Sequence, residues 1–422
     1  MAEHATRSLS RDPDFRIYIA GRTVTELGSR ITREGLPMVA VLAAGATAQD
    51  LGYMAALGYI AALLISPLAG VIADRSRRRP LLIAADLARA ALLLTITLLA
   101  ALGRLRFLDM LLVFGLVTGI SVLFDVADQA FLPDFVGRHR LEPANASVSA
   151  ASAVGETSGP ALMGILIQTL GGPIAIGVDA LTYLASALSL GLIRSREARP
   201  AHESGASGAL EAWAGARALF LHPLLRPLAI AVALQSVGGG FFDALYEFYA
   251  LKDLRLSPLA IGGLITAGGV GALCAAYVSP RIARRLGSGP ALTAGAALYG
   301  LVTLLVPFAP RAPLLAFLFL LAAQLFGDAG GTLFGVGEAV LRQSATPSAW
   351  LGRVTGSVRF LGNVVGAVGA FAAALLAGSL GVRGALLLAS GLILAAVPFL
   401  LWSPVRRQAR PPLPDAARFA EV

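Results

Sequence analysis

The sequence predicts an all-α polytopic membrane protein with twelve transmembrane helices in two pseudo-symmetric six-helix bundles, and three observations carry that prediction. Of the 422 residues, 56% are hydrophobic and only 14% charged, whereas soluble domains carry about a quarter charged residues. Apolar runs of about 20 residues, the length needed to cross the hydrocarbon core as a helix, recur along nearly the whole chain. The alternating ten-residue segments of a membrane β-barrel do not occur. Finally, the two halves resemble each other at a constant offset of 210 residues: Arg16 falls on Arg226, the stretch 50–58 on 260–268, Pro80 on Pro290, Asp128 on Glu338, Leu141 on Leu351 and Gly159 on Gly369. Duplicated halves are a hallmark of secondary transporters.

The apolar runs place the spans, in order, near 15–44, 50–73, 80–102, 108–130, 146–170 and 173–193 for the first bundle. The second bundle holds those near 224–250, 258–279, 289–309, 313–336, 353–378 and 382–402. The bundles are thus expected at residues 1–193 and 223–402. Between them, 194–222 is the longest polar segment, rich in Ala, Ser, Gly, Glu and Arg, and reads as a linker that starts flexible and ends in a short surface helix. Residues 403–422 form a tail.

The net charge of +9 would suggest nucleic acid in a soluble chain. Here the arginines sit mostly in short loops, where the positive-inside rule accounts for them. The termini and the loops after even-numbered spans hold Arg7, Arg11, Arg16, Arg75, Arg77, Arg78, Arg79, Arg138, Arg140, Arg194, Arg196, Arg199, Arg281, Arg284, Arg285, Arg406, Arg407 and Arg410, while the opposite loops hold only Arg104, Arg106, Lys252, Arg255, Arg311 and Arg383. Both termini are therefore expected in the cytoplasm and the chain in the cytoplasmic (inner) membrane. The polar N-terminus has no signal-peptide core, so the first span is expected to direct insertion. One cysteine, Cys274, offers no disulfide framework or thiolate site. The four histidines lie in loops or at helix ends, and no phosphate-binding Gly-Lys motif appears. The reading is of a non-enzyme without cofactor or metal, driven by the proton gradient, working as a monomer among lipids on a small-molecule substrate.

Two motifs stand out. Between spans 2 and 3 the chain reads "GVIADRSRRRP", with Gly70, Asp74, Arg75, Arg78 and Arg79. In span 5 it reads "VGETSGPALMG", with Gly155, Gly159, Pro160 and Gly164. The first resembles the signature of the major facilitator superfamily between its helices 2 and 3, with Arg77 where that family usually has Gly. The second resembles the family's antiporter signature, with Met163 in place of one Gly. The flanking "LPDFVGRHRLEPANA" and "LGRVTGSV" look like the branch of macrolide-efflux and enterobactin-export proteins. The resemblance covers essentially the whole chain. It implies that Asp74 meets the cytoplasmic start of helix 11, near Gly352 and Arg353, and that Arg78 pairs with an acid at the cytoplasmic end of helix 4, where Asp128 stands. Together with Gly70 and Arg75 these would form a conformational gate. The same arginines also serve topology. In the second half Arg284 stands opposite Asp74, so the gate is expected on one side only. For span 5 the resemblance implies a hinge that seals the cavity during export; ordinary tight packing of small residues is the other reading.

Charges inside spans are costly and mark function by default. In span 1, Arg22, Glu26, Arg30 and Glu34 follow one another at i+4, so they share a face that must turn from lipid toward a cavity. Glu26 is expected to bind substrate or carry the coupling proton with Arg30 as its partner; a structural ion-pair ladder is the alternative. In span 7, Asp243, Tyr246 and Glu247 could receive a cation or proton or mark the external mouth. Glu156 and Asp328 are further cavity candidates, Asp125 could belong to the gate, and Asp179 reads as a packing contact. These features point to a proton-coupled exporter of an amphiphilic organic compound. A siderophore-type exporter or an importer on the same fold is the nearer alternative, and a non-transporting sensor or assembly factor the distant one.

Overall fold

The computed structural model describes residues 9–194, 209–412 and 419. Of the expected linker, 195–208 lie outside the described residues, as do most of the tail beyond 412. The first six spans appear as α1 (Pro13–Ala43), α2 (Ala48–Arg75), α3 (Arg78–Ala101), α4 (Phe107–Val136), α5 (Leu141–Leu170) and α6 (Gly172–Leu192). The short surface helix of the linker is α7 (Ala209–Leu221). The second six spans form α8 (Leu225–Phe248), α9 (Pro258–Leu286), α10 (Ser288–Thr303), α11 (Pro313–Ala345) and α12 (Ser348–Leu401). The expected spans 11 and 12 are the two arms of α12, which Gly381, at φ 70°, divides by leaving the helical conformation. A positive φ suits Gly, which has no Cβ to clash. Eight of these helices are long and apolar enough to cross a membrane by length and composition.

The helix ends carry their own signals. Asp12 caps α1, its side chain accepting from the Asp14 amide at 3.2 Å, with Pro13 in the first turn. Before α2, Thr47 and Asp50 cap reciprocally: the Asp50 carboxylate accepts from the Thr47 amide (2.8 Å) and the Thr47 hydroxyl from the Asp50 amide (3.2 Å). Each satisfies a donor that the first helical turn would leave orphaned. Several boundaries differ from the apolar runs. α4 continues to Val136, α5 begins at Leu141 and α11 continues to Ala345. Each extension carries a charged residue (Asp134, Glu142, Glu338 and Arg342), and the hydrogen-bond ladder continues through it. α10 instead stops at Thr303 and gives way to turns.

By contacts the chain divides into two units. Unit 1 comprises Met1–Ala46, Ala61–Glu203 and Ser257–Thr266; unit 2 comprises Thr47–Ile60, Ser204–Leu256 and Ala267–Val422. Unit 1 has a core of Phe15, Tyr18, Leu82, Phe124, Phe131 and Leu190, in which Tyr18 packs on Phe131 and Phe135. Unit 2 is cored by Leu225, Leu228, Leu292, Phe334, Val354 and Leu400.

The duplication is visible in the packing. A Cβ on Gly159 of α5 would lie 2.6 Å from the Arg30 Cβ and 3.3 Å from the Leu27 carbonyl of α1. A Cβ on Gly369 of α12 would lie 2.1 Å from the Val237 carbonyl of α8. Residues 159 and 369, and residues 27 and 237, are each related by the 210-residue offset, so the same crossing is built twice. One crossing is filled differently. Arg30 and Glu156 form an ion pair at 2.9 Å in unit 1. Their counterparts in unit 2, Gly240 and Gly366, bring the two helix backbones together, a Cβ on Gly240 falling 2.2 Å from the Gly366 carbonyl.

Candidate functional site: charges within the spans

Arg22 organises the charges of α1. Its guanidinium lies 2.9 Å from Glu26 one turn on, 3.6 Å from Asp125 and 3.3 Å from Asp128, both on α4. Asp128 is buried and also accepts a hydrogen bond from the Tyr18 hydroxyl at 2.8 Å. Glu26 accepts a further bond from Ser152 of α5 at 3.2 Å. Three carboxylates thus face one guanidinium. Asp125, 58% exposed in its side chain, is the one open to solvent. The partner expected for Glu26, Arg30, turns instead to Glu156, with Glu34 farther off at 3.9 Å. The i+4 spacing allowed either neighbour of Glu26; the reach of α4 and α5 decided between them.

Next to this cluster, Arg89 of α3 is buried, pairs with Asp86, donates to Ser121 at 3.2 Å and lies between the rings of Phe124 (4.3 Å) and Tyr183 (4.2 Å). Stacking and pairing together offset the cost of burying a guanidinium. Asp179, fully buried, accepts hydrogen bonds from Thr32 and Thr182, as its reading as a packing contact implied. Neither Arg89 nor Asp86 was singled out from the sequence, although a charge within an apolar span was a signal for both.

The expected gate needs one correction. Arg78 does not reach Asp128: it pairs with Asp134, nearly two turns farther along α4, and donates to the Ala130 carbonyl at 2.7 Å. α4 runs beyond the end set by hydropathy, so its terminal acid is Asp134, while Asp128 lies deeper and faces α1. Arg79 donates to the carbonyls of Leu190 and Gly191, both at 2.7 Å, satisfying acceptors that the end of α6 leaves orphaned. Asp74 and Arg75 are exposed at the end of α2, and Gly70 has open space where a Cβ would stand.

The glycines of α5 divide their work. Gly155 and Gly159 face α1, where a Cβ would meet Glu26 at 2.8 Å and Arg30 at 2.6 Å. Gly164 faces the start of α9, its Cβ position 2.7 Å from the Pro258 carbonyl, and the Pro160 carbonyl approaches Gly262. Close packing therefore positions Glu26 and Arg30 directly.

In unit 2, Asp243 accepts a short hydrogen bond from Tyr59 of α2. Glu247 is buried one turn on, and the Tyr246 hydroxyl is buried with no hydrogen-bond partner among the described residues. Asp328 of α11 lies against Gly268 of α9, where a Cβ would fall 2.0 Å from its carboxylate. A cavity of about 390 Å³ opens beside Tyr59, lined also by Ser236 and Gly239 of α8 and by Arg359, Gly362 and Asn363 of α12. Tyr59, Arg359 and Asn363 were not anticipated. Arg359 stood in an apolar run and could have been; Tyr59 carried no signal apart from its fold position.

Twelve apolar spans in a duplicated pair, with paired charges inside them, describe a multi-pass membrane transporter. The family model of the Major Facilitator Superfamily matches residues 26–327 and 228–420, and the chain belongs to that superfamily. It is 26% identical over 387 residues to the multidrug efflux pump Tap of Mycolicibacterium fortuitum, covering 89% of this chain and 92% of that protein. It is 26% identical over 350 residues to the multi-drug resistance efflux pump PmrA of Streptococcus pneumoniae, covering 80% and 82%. Among solved structures, a bacterial homologue of the iron transporter ferroportin matches with a TM-score of 0.75 at 18% identity, over 94% of this chain and 99% of that one. The nucleoside transporter NupG matches with a TM-score of 0.75 at 11% identity, over 92% and 98%. At these identities the structures share the fold alone.

Proposed function

We propose that this transporter exports an amphiphilic organic compound from the cytoplasm across the inner membrane in exchange for protons, by alternating access. The observation that carries the reading is the convergence of Glu26, Asp125 and Asp128 on Arg22. Three carboxylates share this guanidinium inside a span, where charge is costly, and we assign the coupling proton to them. A proton on Glu26 abolishes its charge and frees Arg22 toward the two acids of α4. Because α1 and α5 touch through Gly155 and Gly159, such a change in side-chain partners is felt at the helix crossing. Export is the direction named for the two efflux relatives, and the hinge reading of Gly159–Pro160 agrees with it. Cytoplasmic termini follow from the arginine distribution.

Everted membrane vesicles test the mechanism. With a transported compound added, wild-type vesicles release protons, and Glu26→Gln releases few at equal expression. Undiminished release in that variant removes Glu26 from the proton role. Movement of compound only in the opposite direction replaces the exporter by an importer.

A further inference from the structure

In unit 2 a cavity lies beside two positions that match the charge cluster of unit 1, and its one charged lining residue is a cation. Arg22 and Glu26 correspond by the 210-residue offset to Val232 and Ser236, and both of these line the 390 Å³ cavity. The contact between Glu26 and Ser152 has its counterpart in Ser236 and Gly362, where a Cβ would come to 3.4 Å of the Ser236 hydroxyl. Where unit 1 places an acid, unit 2 leaves space. Gly239 contributes to that space, since a Cβ there would meet nothing within 4 Å.

The cation of this cavity is Arg359, exposed to it and, among the described residues, in no ion pair and no hydrogen bond. It lies roughly 16 Å along α12 from Ser348, at the helical rise of about 1.5 Å per residue, within an apolar span. A guanidinium there without a carboxylate partner is costly, unlike Arg22, Arg30 and Arg89, each of which has one. Asn363, one turn farther along the same helix, adds a donor and an acceptor, and Ser236 adds a hydroxyl from across the cavity. The Tyr59 ring and the Val232 and Val358 side chains supply apolar walls. A guanidinium fork suits the two oxygens of a carboxylate, and the volume lies at the small end of the range for ligand sites.

We infer that this cavity is a substrate subsite for organic acids: Arg359 grips a carboxylate, Asn363 and Ser236 orient it, and the ring system of the substrate lies along Tyr59. This rests on the transport reading for its meaning as a substrate site, and it narrows the substrate to amphiphiles that carry a carboxylate. The acid cluster of unit 1 would then handle protons while this cavity of unit 2 handles the organic anion.

Equilibrium binding to the full chain in lipid nanodiscs tests this without a proton gradient, so its outcome is separable from that of the vesicle assay. The probes are dansylglycine and dansylglycinamide, which share a ring system and differ in the carboxylate. Dansylglycine is expected to bind at least about tenfold more tightly, the worth of one charge-assisted contact. Arg359→Gln abolishes that preference, and Arg359→Lys restores part of it. Gly239→Val, which fills the cavity without meeting another group, weakens both probes. Equal affinity of the two probes for the wild type, absence of saturable dansylglycine binding, or an unchanged preference in Arg359→Gln overturns the inference.

Discussion

Arg22 and Arg30 sit two turns apart on one helix, and the sequence offered Glu26 equally to both. Spacing along α1 identifies which side chains share a face, but it carries no information on which acids α4 and α5 bring to that face. Asp125 and Asp128 claim Arg22, Glu156 claims Arg30, and Glu26 goes to the arginine nearer Ser152. Arg78 gave the same lesson: an acid at the end of helix 4 was expected, and the residue is Asp134 because the helix runs on to Val136. The small residues of α5 were legible as a motif, but their target was not. Since a Cβ on Gly159 would lie 2.6 Å from the Arg30 Cβ, Gly159→Val overpacks the α1–α5 crossing. A loss of about 1–3 kcal/mol is expected, read as a lowered midpoint in thermal unfolding of the purified protein. Gly263 on α9, which has open space at its Cβ position, provides the contrasting site, where Gly→Ala leaves the midpoint nearly unchanged.

Among the elements, existence and order were the most legible, because twenty apolar residues in a row leave the chain few options but a helix. Ends were less so, since backbone hydrogen bonds continue through polar residues, as at the end of α11. The join between the last two spans is a single residue out of helical conformation. Gly381 at φ 70° is the residue type that tolerates this angle, and a Cβ would meet no neighbour, so the cost of Gly381→Ala is conformational alone. With ψ at 161° as well, the backbone lies in a region that is essentially glycine's own, and about 1–3 kcal/mol is expected, visible as lowered thermal stability with ligand affinity retained.

For the whole molecule, fold class and family were readable from composition, period and two motifs, whereas the placement of Arg359 beside a cavity depends on the contacts of α8 with α12 and on Tyr59, distant in sequence. The opening arginines illustrate how one motif divides between structure and switching. Arg78 and Arg79 hold the ends of α4 and α6, whereas Asp74 is exposed at the end of α2. Asp74→Asn should therefore fold normally and alter only the balance of transport states. In a Cys274→Ala background, single cysteines introduced on the cytoplasmic side are expected to label faster with a membrane-impermeant maleimide when Asp74 is replaced. Identical rates leave the motif with topology alone.

The second repeat also serves as a control experiment carried within the chain. Where Arg30 meets Glu156, Gly240 meets Gly366, and that crossing holds with no charge at all. The ion pair is thus dispensable to the architecture it sits in. Because the Glu156 side chain is 60% exposed, the pair contributes at most about 1 kcal/mol, and Arg30→Met combined with Glu156→Gln should melt within a few degrees of the wild type. If the pair serves turnover instead, the double variant will fold like the wild type and transport more slowly.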